Sequence, residues 1–173
     1  MKKNTKIILL IVGILTIFVA ILTMLYNGDI EERKALEDNR EFIIKIGGVQ
    51  AAKVTMGDLA SMDPITFTTV MDTSNTSPTD VEFTGVEVKE ICRINDIDLS
   101  NASVFEFKAL DNYTTAITLD EILKQDNVYV CFKKNGEMLK EKSEGGMGPF
   151  LVVIKSSKFS QRWCKYLMEM NIR

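Results

Sequence analysis

No histidine occurs anywhere in the chain. Its absence removes the commonest general base and the commonest transition-metal ligand together, leaving carboxylates, lysines, tyrosines and cysteines for acid–base or ligand chemistry. Cysteine is scarce too. Cys92, Cys131 and Cys164 lie far apart, without the C-x-x-C or paired spacing of a zinc site or redox dithiol. An extracytoplasmic location leaves room for one disulfide and one leftover thiol; three apolar core thiols are the other reading. A basic surplus is also missing. Of the 21 basic residues, Lys2, Lys3 and Lys6 sit at the N-terminus, and the remaining 18 face 24 acidic ones, a net −6. That balance argues against nucleic acid or an anionic lipid surface as the domain's main partner.

A long hydrophobic run is present from the start. Met-Lys-Lys-Asn-Thr-Lys precedes an uncharged stretch from Ile7 to Tyr26. As a helix this stretch spans about 30 Å, the thickness of a bilayer core. Three lysines come before it, and Asp29, Glu31 and Glu32 follow. The positive-inside bias therefore keeps the N-terminus cytoplasmic and sends the rest across the membrane. A cleaved signal peptide is the rival reading. The run exceeds the usual hydrophobic region of a signal peptide, no A-x-A-like site follows it, and no nearby cysteine offers a lipid attachment point. An uncleaved anchor over residues 1–28 is expected.

Residues 29–41 are almost all charged and have little to bury, so they read as a solvated stalk. A compact domain is expected over 42–173. Phe42-Ile-Ile-Lys-Ile46 reads as a strand closed by Gly47-Gly48. Thr55 and Asp58 have capping-box spacing and open a short helix that Pro64 ends. Ile65 to Met71 reads as a strand, Asp72 to Asp80 as a polar loop, and Val86 to Ile94 as a helix. Ser103 to Ala109 alternates, which puts Phe105, Phe107 and Ala109 on one face. Asp111-Asn112 turns into a strand over Tyr113–Ile117. Thr118 and Glu121 form a second capping box, opening a helix to about Lys124. Val128 to Lys133 is a strand running into the hairpin signal Asn135-Gly136. Glu144 to Pro149 breaks structure as a flexible loop, without the strand-to-helix context of a phosphate-binding loop. A strand follows over Phe150–Ile154, and a short helix is expected between Phe159 and Met170. Strands outnumber helices, so the class is α+β with a mostly β core, preceded by one transmembrane helix.

In this order the pieces resemble the molybdopterin-binding oxidoreductase domain of the sulfite oxidase family. Ile44-Lys-Ile-Gly-Gly48-Val and Val54-Thr-Met-Gly-Asp-Leu59 are similar to that family's opening strand, glycine and leucine-bearing helix. Phe83-Thr-Gly85-Val86 resembles its aromatic-x-Gly-Val segment, and Phe105 to Tyr113 its strand ending in Asp-Gly-Tyr. Asn135-Gly136-Glu137 resembles its Asn-Gly-Glu hairpin. Gly148-Pro149-Phe150 and Arg162-Trp163-Cys164-Lys165-Tyr166 resemble its Gly-Pro strand and closing segment. The likeness covers nearly all of residues 42–173 and rests on order and spacing rather than on any one motif.

The resemblance implies a sulfite-oxidase-like fold. It also implies a molybdenum-ligating cysteine after the strand Ile65–Met71, because such a centre needs a thiolate. No cysteine lies between Phe42 and Glu90. The matching stretch is Met71-Asp72-Thr73-Ser74-Asn75-Thr76, and Cys92 comes too late. Phe150-Leu151 stand where an arginine is usual, and the family's phosphate-gripping histidines and arginines are missing. No catalytic residue and no metal ligand is therefore assigned. Lys155, Lys158, Arg162 and Lys165 form an acid-free basic run, and Lys158, Arg162 and Lys165 are the candidate anion-binding residues. A solvated basic face is the plainer account of such a run. Asp111, Asn112 and Tyr113 are pocket candidates that turn chemistry alone also explains. Cys164, between basic neighbours, is either a reactive thiol or a core residue beside Trp163.

Two functional readings follow. The first is a cofactor-free, extracytoplasmic binding or assembly module, with a protein or a small anionic ligand as partner besides the membrane at residues 7–26. The second is an oxidoreductase that holds molybdopterin without a protein thiolate. The missing ligand favours the first.

Overall fold

The computed structural model describes residues 3–74, 76–157 and 159–173. The chain divides into two compact units, one ending at Ala35 and one from Leu36 to Arg173. Helix α1 covers Lys3–Asp38. In the first unit its apolar side chains from Leu9 to Met24 are exposed. Ile7, Ile8, Leu25 and Tyr26, at the ends of the expected anchor, lie outside the residues whose side chains are described. Among the described residues no helix is long and apolar enough to cross a membrane.

The second unit opens with the last turn of α1, where Leu36 is buried against Ile43 and Met168. Its chain order is β1 (Glu41–Ile46), β2 (Val49–Thr55), α2 (Met56–Ser61), β3 (Ile65–Thr73), β4 (Thr76–Glu87), α3 (Val88–Ile94), β5 (Val104–Ala109) and β6 (Thr114–Thr118). Then come α4 (Leu119–Leu123), β7 (Val128–Lys134), β8 (Glu137–Met138), β9 (Leu151–Ile154), β10 (Cys164–Lys165) and β11 (Leu167–Ile172). One sheet has the order β2-β1-β11-β5-β6, and β1 pairs with β11 in parallel. The other runs β10-β9-β7-β4-β3, with β8 paired to β7. The class is α+β and mostly β, as the residue patterns lead one to expect.

Local chemistry sets most boundaries. Gly47 and Gly48 adopt positive φ between β1 and β2, as a tight hairpin turn requires. Both expected capping boxes form, Thr55 with Asp58 at α2 and Thr118 with Glu121 at α4. Gly85 sits at an irregularity of the β4–β7 pairing, where a Cβ would lie 2.5 Å from the Val130 carbonyl oxygen. A side chain there would push the two strands apart.

Side chains of both sheets meet in one core. Phe42 on β1 packs edge-on against Phe150 at 5.1 Å, and Phe83 on β4 against Trp163 at 5.6 Å. Phe105, Phe107 and Ala109 are the buried face of β5. Cys92, Cys131 and Cys164 are free and buried, which selects the core-thiol reading over a disulfide.

Three element assignments change. The expected polar loop over 72–80 is mostly strand, because Thr79, Asp80 and Val81 pair with Met71, Val70 and Thr69. Threonine suits an extended, half-exposed ladder as well as a turn. Val86 and Glu87 belong to the end of β4, so the helix that follows starts at Val88. The tail is not helical beyond a single 3-10 turn at Ser160–Arg162; β10 and β11 follow, separated by Tyr166 at φ 56°. Flanked by β1 and β5, β11 buries residues on both faces, which erases the alternation that marks a half-exposed strand. β2 is a strand that the residue pattern does not announce, since on this sheet edge only Val54 is buried.

Candidate functional site

A cavity of about 440 Å³ opens on the β unit. Its wall is made by the end of β3 (Met71, Thr73, Ser74), the turn after β5 (Asp111, Tyr113), Met147 of the glycine-rich loop, and the segment Ser160 to Tyr166. These elements are tied to one another. The Ser160 hydroxyl accepts from the Asp72 amide at 2.8 Å, joining β3 to the 3-10 turn. The Tyr113 hydroxyl donates to the Gln161 carbonyl at 2.6 Å. The Tyr166 amide donates to the Met147 carbonyl at 3.0 Å, and its hydroxyl donates to the Gly146 carbonyl at 2.9 Å.

The glycine-rich loop is accordingly built rather than loose, contrary to the expectation of a flexible break. Gly145 takes φ 74°, and a Cβ on Gly146 would collide with the Lys140 backbone. Its amides are already used: those of Gly145, Gly146 and Gly148 donate to the carbonyls of Lys142, Glu141 and Lys140. Such a loop has no array of free N–H groups to offer a phosphate.

The four basic residues separate into different roles. Lys155 is held by both Asp126 carboxylate oxygens at 2.6 Å and lies 4.9 Å from the Phe67 ring centre. Its hydrogen bond, with a second from Tyr129, holds the Asp126 carboxyl below its usual range, while burial raises the Tyr129 hydroxyl. Arg162 makes a two-pronged pair with Glu121, Nη1 to Oε1 at 2.8 Å and Nη2 to Oε2 at 3.1 Å. Arg162's hydrogen bonds lower the Glu121 pKa, and the guanidinium's own rises in turn. Glu121 thus caps α4 and fixes the cavity-wall segment with one carboxylate. Lys158 lies outside the described residues. Lys165 lines the cavity, is exposed, and makes no ion pair among the described residues. Of the three anion-site candidates, the structure therefore places Lys165 on the wall and Arg162 against Glu121.

The pocket candidates Asp111 and Tyr113 do line the cavity. Asp111 accepts from the Tyr113 amide at 3.2 Å and from Lys142 at 3.4 Å. Cys164 follows the core reading: burial pushes its thiol up to about 12 despite the basic neighbours, as it does for Cys92, and Cys131 is raised as well. These are inert thiols. Met147 and Gln161 carry no signal of their own in the sequence, and Tyr166 is marked only as part of the closing segment of the resemblance. Met71, Thr73 and Ser74 were marked only by their place in the resemblance.

The wall's donors can be weighed against a thiolate-ligated molybdenum pterin. Where the thiolate would come from stand Met71, Thr73 and Ser74, and among the described residues no cysteine lines the cavity. The loop amides are satisfied internally, and two of the nearby cations are neutralised by carboxylates. Among the described residues no cluster of histidine, cysteine, aspartate or glutamate fits a metal ion. The residues present do not fit that group.

No curated protein matches the chain. Among solved structures the chain is similar to the sulfane dehydrogenase SoxCD from Paracoccus pantotrophus, with a TM-score of 0.62 and 14% identity over 76% of this chain. At that identity the likeness is one of fold, and the match spans 37% of the SoxCD chain. The profile of the oxidoreductase molybdopterin binding domain matches residues 32–173. That match takes in the whole stretch over which the motifs run in order, and the chain belongs to the family of the oxidoreductase molybdopterin binding domain.

Proposed function

We propose that the protein is a membrane-anchored, extracytoplasmic binding module that keeps the family's fold and cavity without its molybdenum chemistry. One observation carries this reading. The wall segment where the family resemblance places the thiolate presents a thioether and hydroxyls, while all three cysteines are buried thiols with raised pKa. A metal centre needs ligands of matching softness and groups that orient them. The cavity supplies neither. The fold alone does not restore an activity, because function resides in the site.

The anchor reading rests on the uncharged run Ile7–Tyr26, the lysines before it and the acidic residues after it. Exposed leucines, isoleucines and valines along α1 are what lipid contact asks of a helix surface.

The test is metal analysis of the full chain purified from a molybdate-fed native host. The expected result is molybdenum far below one atom per chain and no oxidation of sulfite or reduction of sulfoxides. Near-stoichiometric molybdenum, lost when Arg162 and Lys165 are changed to alanine, would revive the alternative of an oxidoreductase holding its cofactor without a protein thiolate.

A further inference from the structure

We infer that the cavity takes a flat, largely apolar molecule with a single negative charge, an aromatic monocarboxylate by chemical class. Lys165 is its charge partner, and Tyr113, Trp163 and Tyr166 form its ring-lined walls. This assignment rests on the binding-module reading and names the ligand class of that same site.

The hydrogen-bond accounting comes first. The Tyr113 hydroxyl is donated to Gln161, the Tyr166 hydroxyl to Gly146, and the Trp163 indole N–H to the Ile154 carbonyl at 3.3 Å. These side chains have no donor left for a ligand and offer it ring surface. Met71 and Met147 add polarizable thioethers, which pack well against aromatic faces. Together these groups favour a planar apolar body over a sugar or a polar chain.

Charge sets the second condition. Lys155 is matched by Asp126, Arg162 by Glu121, and Lys142 by Asp111, with the Lys142 ammonium also 5.2 Å from the Tyr166 ring centre. Lys165 is left as the wall's unmatched cation among the described residues. The Asp111 carboxylate on the same wall is itself paired with Lys142, so among the described residues Lys165 supplies the one net charge that faces a ligand. One cation calls for a monoanion, whereas a phosphate dianion would bring a second negative charge with no described partner on the wall. The volume, about 440 Å³, lies at the lower end of ordinary small-molecule sites and admits two fused rings.

The full chain in lipid nanodiscs is titrated calorimetrically with naphthalene-2-carboxylate, with its neutral carboxamide, and with inorganic sulfate, empty discs serving as the blank. The carboxylate is expected to bind about tenfold tighter than the carboxamide, the worth of one charge-assisted hydrogen bond. Sulfate does not displace it. Lys165→Met erases the preference and leaves carboxamide binding intact, Lys165→Arg keeps the preference, and Met71→Trp blocks both ligands by filling the cavity. Equal affinity for carboxylate and carboxamide, an unchanged preference in Lys165→Met, or binding of neither ligand overturns the assignment. Metal content is measured on the same preparation. Stoichiometric molybdenum there defeats the underlying binding-module reading, whereas metal-free protein without a carboxylate preference defeats the ligand class alone.

Discussion

Phe107 is fully buried on β5, its ring centre 6.4 Å from that of Phe105, two residues back on the same face. Truncation to alanine removes a ring from a close-packed interior and leaves a void. The expected cost is about 3–5 kcal/mol in urea unfolding of a fragment starting at Leu36. A loss under about 0.5 kcal/mol is what a surface position shows and contradicts this burial. Phe107 was legible from sequence because strand alternation is a strictly local signal. The two capping boxes were legible for the same reason, with donor and acceptor three residues apart. Arg162 and Lys165 were not separable that way. The carboxylate that removes Arg162 from the cavity's charge is Glu121, 41 positions away in the chain, and no spacing rule reaches that far.

At the scale of elements, that same pair couples α4 to the 3-10 turn at Ser160–Arg162 and makes a prediction about pH. Arg162's hydrogen bonds hold Glu121 below its ordinary value of 4.5, and partial burial works against them. A carboxylate with a lower pKa in the folded state contributes stability above its unfolded value. That contribution fades as pH falls from about 4.5 through the folded pKa. Glu121→Gln should therefore cost roughly 0.5–1 kcal/mol at neutral pH, modest because Arg162 is partly solvated. The gap to the wild type should close in denaturant titrations run below pH 4.5. A gap that stays constant from pH 7 to pH 3 would show that the pair adds nothing through its charge. The elements missed from sequence share a cause. β11 is covered on both faces and β2 is nearly bare on both, so neither displays the period-two pattern by which strands are recognised. The cavity inherits this gap, since its wall includes the turn between β10 and β11.

For the whole molecule, the consequential proposal is sidedness. From the lysines before Ile7 and the acidic residues after Tyr26 we propose that the β unit lies outside the cytoplasm. Protease added to intact protoplasts should remove that unit and leave a small membrane-bound stub on an immunoblot against an N-terminal tag. Full-length chain surviving the treatment would reverse the topology. Cavity and charge also have meaning at this scale. The β unit, Leu36–Arg173, has 16 basic and 21 acidic residues, a net −5 that repels multiply charged anions, so the singly charged ligand proposed for Lys165 would be held by contact rather than by attraction from a distance.

The parallel pairing of β1 with β11 has a temporal side. β11 is the last strand in chain order, yet it lies in the middle of its sheet, between β1 and β5. During synthesis β1 therefore waits for a neighbour encoded more than a hundred residues later; Ile43 pairs with Glu169. Closing so long a loop is slow compared with forming the hairpins of the second sheet. A chain passed through a narrow export channel from its N-terminus stays unclosed, and so threadable, until β11 has been made. Ribosome stalling before β11 would leave a product with two half-sheets and an exposed apolar seam, the kind of surface that quality-control proteases recognise.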